Sequence, residues 1–386
     1  MPNVCHLIRG FLRSTETFIA NQIINHQDYV PFLIYCKLEN NPLSWKILDR
    51  IKHLECVKNS HGVFLYKYFR RLTKLEELNC VQFVKNNNID ILHVHYGPDY
   101  YTFLNVIKMS GKPSVVSFYG YDASSFQYQY WGFGKHILDR VFETADYCLV
   151  MSEDMKLDLI TLGCPVEKII IHYFGCELSR FGFEKGKINK DEFIFLTIAS
   201  LVPKKGHLQI LKAINILYKD NQIDPNKIKF RFVGDGPLMK ELSKYSHENG
   251  IENFIQFTGH IDYTSPDYLN ELKNADVFLH PSLKTDKNEK EGIPTSLVEA
   301  MASGLPIIST NHAGIPSVIS DHFNGLLIQE NNHVDLSSTI KLIITDHQLR
   351  EKLGMNAKIY ASNSLDVRKK TWELENIYDE LLKNII

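Results

Sequence analysis

Two acidic residues stand in a stretch that is otherwise small and apolar, "EGIPTSLVEAMASGLPIIST", residues 291–310. Glu291 precedes Pro294, and Glu299 lies beyond it, with seven residues between the two glutamates. Pro294 suits a first helical position, because its missing N–H would have no partner there, and Gly304 followed by Pro306 suits a helix end. The spacing therefore predicts a capped helix of about 10 residues, roughly 15 Å long. Its first turn would point the N–H groups of Thr295 and Ser296 outward, where the macrodipole favours an anion such as a diphosphate. Carboxylates repel such an anion, so Glu291 and Glu299 are expected to flank it and accept hydrogen bonds from neutral hydroxyls. A sugar nucleotide has this shape of charge: a polyol on each side of a diphosphate. A single solvated glutamate is the commoner meaning of such a residue; the paired spacing in an apolar context favours the site.

The elements that must position these groups follow from the apolar pattern. "NVCHLI", "VPFLIYC", "DILHVHY", "PSVVSF", "DYCLVM" and "KIIIHYF" are short buried runs separated by helical patterns such as "KLEELNCVQFVKNN", the signature of a parallel sheet with crossovers. A lysine-rich interval, "EKGKINKDE" at 184–192, reads as a linker. The pattern then restarts with "FIFLTIAS", "IKFRFVGDG", "NFIQFTG", "ADVFLHPS", "LPIIST" and "NGLLIQ". The expected fold class is α/β, with two doubly wound Rossmann-like domains facing across a cleft: residues 1–185, residues 186–366, and a last helix, 367–386, returning toward the first domain. At 386 residues and 44% hydrophobic content the chain is large enough for two cores.

Composition removes several classes. The 43 basic and 45 acidic residues leave a formal charge of −2, which gives no general attraction for nucleic acid. The seven cysteines include no Cys-x-x-Cys pair, so neither a zinc ribbon nor a disulfide framework is expected. The N-terminus breaks its apolar run with His6, Arg9 and Arg13, unlike a secretion signal, and no run of apolar residues is long enough to span a bilayer. The Gly-x-Gly-x-x-Gly fingerprint of dinucleotide-dependent dehydrogenases is absent, since "VGDGPLMK" has only Gly234 and Gly236. His93 and His95 share a strand face, half of a possible metal site, but no third ligand follows at a recognisable spacing, and no metal is expected.

The Glu-x7-Glu spacing resembles that of glycosyltransferase family 4, the retaining transferases of GT-B fold found in bacterial polysaccharide and glycan biosynthesis. "FLRSTETFI", "DILHVHYGPD", "SFYGYDAS", "LGCPVEKIIIHYFGCELSRF", "SLVPKKGH", "VGDGPLMKEL" and "NGLLI" extend the likeness over nearly the whole chain. The resemblance implies that Glu291 contacts the transferred sugar and Glu299 the ribose, with Gly292, Ile293, Pro294, Thr295 and Ser296 around the donor. It implies that Lys205 grips the diphosphate. Where the family carries a second phosphate-binding residue, an arginine, this chain has Ser200, which cannot form a charged bidentate pair; Lys204 and Arg13 are the candidates for the missing charge, although a solvated surface lysine is the commoner role for Lys204.

Tyr119 replaces the histidine of the family's Phe-His-Gly-x-Asp element, while Gly120 and Asp122 match; a phenol that titrates near 10 is a poor substitute in proton transfer. His95, before Tyr96-Gly97, resembles an acceptor-side element, and Arg13 falls on that side too. No Asp-x-Asp pair occurs, so the resemblance implies a metal-independent, cofactor-free hexosyltransferase. Its partners would be a nucleotide sugar and a saccharide or lipid-linked glycan acceptor, in the cytoplasm or at the inner face of a membrane. Lys67, Arg70, Arg71 and Lys74 among the aromatics of "FLYKYFRRLTKLEEL", 64–78, suggest one amphipathic helix suited to such a surface, although solvated charges on an ordinary helix fit it as well. A sugar-nucleotide epimerase and a non-catalytic partner of another transferase are the alternatives; Ser200 and Tyr119 favour the latter, and intact Glu291, Lys205 and Glu299 oppose it.

Overall fold

The computed structural model describes residues 1–11, 16–39, 47–58, 60–181 and 192–385, in two compact units: Met1–Cys176 with Val367–Ile386, and Glu177–Asp366. Most of the interval 184–192, and Arg13, lie outside the described residues.

The first unit is built on seven strands: β1 (Asn3–Phe11), β2 (Val30–Leu38), β3 (Lys52–Glu55), β4 (Ile91–His95), β5 (Ser114–Ser117), β6 (Tyr147–Val150) and β7 (Ile169–Ile171). They lie in the order β3-β2-β1-β4-β5-β6-β7, and every pairing is parallel. Helices cover both faces, so β4 and β5 are buried at every position, their polar members His93, His95, Ser114 and Ser117 each held by side-chain hydrogen bonds. β3 carries no such run, because "KHLE" sits at the sheet edge with most of its side chains exposed. The final helix, Val367–Ile385, packs Leu374, Tyr378 and Leu381 against Val4, Ile91, Val115 and Leu149 of this sheet.

The second unit has β8 (Phe193–Ile198), β9 (Ile228–Val233), β10 (Ile255–Gly259), β11 (Val277–His280), β12 (Ile307–Thr310) and β13 (Leu326–Ile328), parallel throughout and in the order β10-β9-β8-β11-β12-β13. Its core joins Phe195, Phe230, Ile210, Ile214, Leu279 and Ile340, with the Phe195 and Phe230 rings stacked at 4.7 Å. In both sheets the strand order reverses once, between β1 and β4 and between β8 and β11. Loops leaving adjacent strands there diverge to opposite faces, opening a crevice at the carboxyl ends.

The stretch 64–78 is not one helix. A helix over Ser60–Phe64 passes into a single wide turn, Leu65–Phe69, and Arg70 then takes a left-handed conformation (φ 51°) that ends it. A new helix, Lys74–Asn86, starts at Thr73, whose hydroxyl accepts the Glu76 amide while Glu76 accepts the Thr73 amide. This reciprocal cap stabilises a start at Thr73 more than continuation through it.

Candidate functional site

Lys204 and Lys205 leave the carboxyl end of β8 in the short turn Pro203–Lys205, closed by Gly206 at φ 73°. A Cβ on Gly206 would sit 1.9 Å from the Pro281 carbonyl oxygen, so only glycine lets this turn press against the loop that leaves β11. That β11 loop carries Glu291. The two loops flank the strand-order reversal, and there the charges meet: Lys205 Nζ donates to Glu291 Oε2 at 2.9 Å, and Lys204 Nζ lies 3.3 Å from Oε1. Lys204 is therefore drawn to the site, not left as a solvated surface lysine. Burial by itself would raise the Glu291 carboxyl, but Lys205 and Lys204, with His280, hold it well below the usual carboxylate range. Lys205 is lowered by burial, against the pull of Glu291.

The backbone of Glu291 is oriented by a relay of its own. Its N–H donates to His312 Nε2 at 3.1 Å, so Nε2 is unprotonated, and Nδ1 donates to Glu330 Oε1 at 2.8 Å. Glu330 in turn accepts the Lys284 amide at 2.7 Å. Buried His280, at the end of β11, has no hydrogen-bond partner on either ring nitrogen among the described residues.

The helix predicted beyond Glu291 spans Thr295–Ala302. Pro294 is the extended residue that precedes it (ψ 124°), one position before the expected one. The amides of Leu297 and Val298 fold back onto the Pro294 carbonyl at 3.1 and 3.4 Å, which leaves Thr295 and Ser296 as the first-turn N–H groups without an intrahelical partner. Ser296 Oγ donates to Ile198 O at 2.8 Å and pins this helix end to the tip of β8. Gly292 and Ile293 are buried beneath the loop of Gly314, whose Cβ position would lie 2.6 Å from Gly292 O. Ser200 is exposed on the β8 loop. Gly234, at φ 142°, lies so close beneath that loop that a Cβ would stand 2.1 Å from Ala199 O.

Glu299 is 1% exposed and accepts the Tyr268 hydroxyl. Burial pushes its carboxyl up to about 7, against Tyr268 and Arg180. Arg180 lies 4.1 Å over the Tyr263 ring and donates to the Tyr263 carbonyl at 2.7 Å, and Tyr263 meets Tyr268 edge-on.

In the first unit, Asp122 is fully buried, with Oδ1 accepting the amides of Tyr119 and Gly120 at 2.9 and 3.1 Å and Oδ2 that of Gly97 at 3.1 Å. These bonds fix the turn that carries Tyr119. Burial raises the Asp122 carboxyl to about 6, against the pull of those amides. The Tyr119 hydroxyl bonds His95 Nδ1 at 2.6 Å, and its ring meets Tyr96 edge-on. Beside them, at the carboxyl ends of β1 and β4, a cavity of about 260 Å³ is lined by Arg9, Glu16, Arg70, Tyr96 and Asp99. The third histidine that local spacing lacked comes from the next strand: β1 pairs with β4 in the register His6 to His93, bringing ring nitrogens of His6, His93 and His95 within 4.8 Å of one another.

Residues 180–360 match the family model "Glycosyl transferases group 1", and residues 46–180 match "Glycosyltransferase Family 4". The chain belongs to glycosyltransferase family 4. This family 4 chain is 28% identical over 260 residues to the amylovoran biosynthesis glycosyltransferase AmsK of Erwinia amylovora, across 66% of its own length and 60% of that relative's. It is 25% identical over 370 residues to the UDP-Gal:alpha-D-GlcNAc-diphosphoundecaprenol alpha-1,3-galactosyltransferase of Escherichia coli, covering 91% of this chain and 89% of that one. The crystal structure of Anabaena Alr3699/HepE in complex with UDP superposes with a TM-score of 0.79 at 17% identity, over 98% of this chain and all of that one. The fold is GT-B, two Rossmann-like parallel sheets in one chain.

Several groups of this glycosyltransferase had no local sequence signal. Tyr268 belongs to an ordinary amphipathic helix, Pro266–Asn274, and only tertiary packing carries its hydroxyl to Glu299. His312 and Glu330 act through the Glu291 backbone and share no motif with it. Arg180 does fall within the family-like "LSRF" stretch, which could have singled it out.

Proposed function

We propose that the chain moves a hexosyl-type unit, with retained anomeric configuration, from a nucleoside-diphosphate sugar to a hydroxyl of a saccharide or lipid-linked glycan. The reading includes no metal and no other cofactor. The observation that carries it is the buried Glu291 carboxylate held by two ammonium groups at the carboxyl ends of β8 and β11, one short loop from a helix N-terminus. A diphosphate on the Thr295 and Ser296 amides meets the helix dipole, and an ammonium has three donors, so Lys205 can hold Glu291 and a phosphate oxygen together. Lys204 supplies the second positive charge that Ser200 cannot. Negative charge grows on the diphosphate as the glycosidic bond breaks, and these preorganised donors stabilise it. Glu291, ionised at neutral pH, accepts hydroxyls of the sugar, and Glu299 those of the ribose.

The names of the relatives, one with a UDP-galactose donor and a diphosphoundecaprenol-linked acceptor, favour uridine donors and lipid-linked acceptors as the first to try. Exposed Phe64, Tyr68 and Phe69 beside Lys67 support contact with an anionic membrane face; among the described residues no helix is long and apolar enough to cross a membrane. The test is transfer from a panel of sugar nucleotides in the presence of EDTA, with the product anomer read by NMR. Retained configuration without metal is expected, with turnover reduced in Glu291→Gln more than donor affinity. An inverted product, or a Glu291→Gln variant as fast as the parent, would overturn the reading.

A further inference from the structure

The helix Thr295–Ala302 carries Glu299 one turn in from its first residue. Helical side chains lean toward the N-terminus, so this carboxyl covers the turn of Thr295 and Ser296, about 5.4 Å along the axis from the helix tip. Its partner comes from a separate element. Ser265 Oγ accepts the Asp267 amide at 3.1 Å and starts the helix Pro266–Asn274, whose buried face consists of Tyr268 and Leu272. From there the Tyr268 hydroxyl donates to Glu299 Oε2, and both side chains are buried. The phenol ring is itself held: Tyr263 packs edge-on against it at 5.3 Å, and Tyr263 is fixed in turn by Arg180, which lies over its ring and donates to its carbonyl.

An ionised carboxylate accepts about four hydrogen bonds, two at each oxygen. Tyr268 uses one, and the others suit two adjacent hydroxyls. A protonated carboxyl has lost part of that capacity and carries a hydrogen that must itself find an acceptor. Burial favours the protonated form of Glu299, whereas Tyr268 and Arg180 favour the ionised one. Among the described residues these two are the titratable groups that act on it, Arg180 from the turn Leu178–Arg180 and Tyr268 from its own helix. Arg180 acts across space; Tyr268 acts through a hydrogen bond, which also fixes the carboxyl's rotation.

We propose that Tyr268 is a positioning residue for the ribose of the donor, its hydroxyl orienting Glu299 and keeping it an acceptor for the 2′- and 3′-hydroxyls. The inference rests on the transferase reading above, in which Glu299 meets the ribose. Every group it uses lies within Glu177–Asp366. Because the diol needs the ionised carboxylate, the ribose hydroxyls strengthen binding above pH 7 and contribute progressively less as the pH falls through that value. Removing the Tyr268 hydroxyl takes away a bond to the charged form and moves this dependence to higher pH.

The test is calorimetry, from pH 6 to pH 9, of uridine, guanosine, adenosine and cytidine diphosphates and of their 2′,3′-dideoxy analogues. The affinity ratio within each pair cancels the ionisation of phosphate and lysine, which both members share. For the parent the ratio is expected to favour the ribonucleotide by tenfold or more at high pH and to fall as pH drops through about 7. In Tyr268→Phe the midpoint should rise by about one pH unit, a tenfold change in the ionisation of Glu299, with binding of the dideoxy analogue unchanged. In Glu299→Gln the ratio should no longer depend on pH, which identifies the titrating group. A midpoint that Tyr268→Phe leaves in place, an equal loss for both members of a pair, or a parent ratio near one at every pH overturns the role of Tyr268 and leaves the enzyme class standing. A parent that binds none of these diphosphates overturns the transferase reading and this inference with it.

Discussion

Glu299 offers a measurement of the donor site that needs no substrate. Folding moves its carboxyl from an ordinary 4.5 to about 7, chiefly by burial. A folded value above the unfolded one means that the fold favours the protonated form, so the contribution to stability is complete below pH 4.5 and disappears as the pH rises through 7. At about 1.36 kcal/mol per unit, the change is about 3 kcal/mol across that window. Glu299→Gln keeps an oxygen for the Tyr268 hydroxyl and removes the titration. The stability of the variant minus that of the parent should therefore grow by about 3 kcal/mol from pH 4.5 to pH 8 and then level off. Urea unfolding followed by circular dichroism measures it; tryptophan fluorescence does not, because no tryptophan lies within Glu177–Asp366. A difference that stays constant over this range, or shrinks as pH rises, would refute a buried, charge-poor setting for this carboxyl.

Lys205→Ala should weaken a free nucleoside diphosphate by tenfold or more in calorimetry, since it removes a charge-assisted bond; Lys204→Ala should act in the same direction and less, its ammonium being the more distant from Glu291. Gly206→Ala should destabilise the protein by about 1 to 3 kcal/mol in thermal unfolding, because the turn needs a positive φ and its Cβ would collide with Pro281 O. Replacing Phe64, Tyr68 and Phe69 together by serine should reduce sedimentation with anionic vesicles without changing the unfolding midpoint, as these side chains are largely exposed.

Among the described residues, twelve of the thirteen strands fall within short apolar-rich segments and are legible one segment at a time, even where β4 carries two histidines and β9 alternates with Lys229 and Arg231. The exception, β3, lies at an edge where exposed "KHLE" needs no apolar side chains. The stretch 64–78 misleads because helical spacing of charges and aromatics does not record the capping at Thr73 that interrupts it.

What the amino-acid sequence determined by itself is the alternation of strand and helix, the spacing of Glu291 from Glu299, and the glycines that let loops come close, because each depends on neighbours along the chain. Tertiary structure alone decided that Lys204 joins Lys205 on Glu291, that Tyr268 caps Glu299, and that hydrogen bonds through His95, His6 and His26 connect Tyr119 to Glu375. Those contacts link residues tens to hundreds of positions apart. They depend on strand register and on where a returning helix lands, and neither leaves a period or a motif in the local sequence.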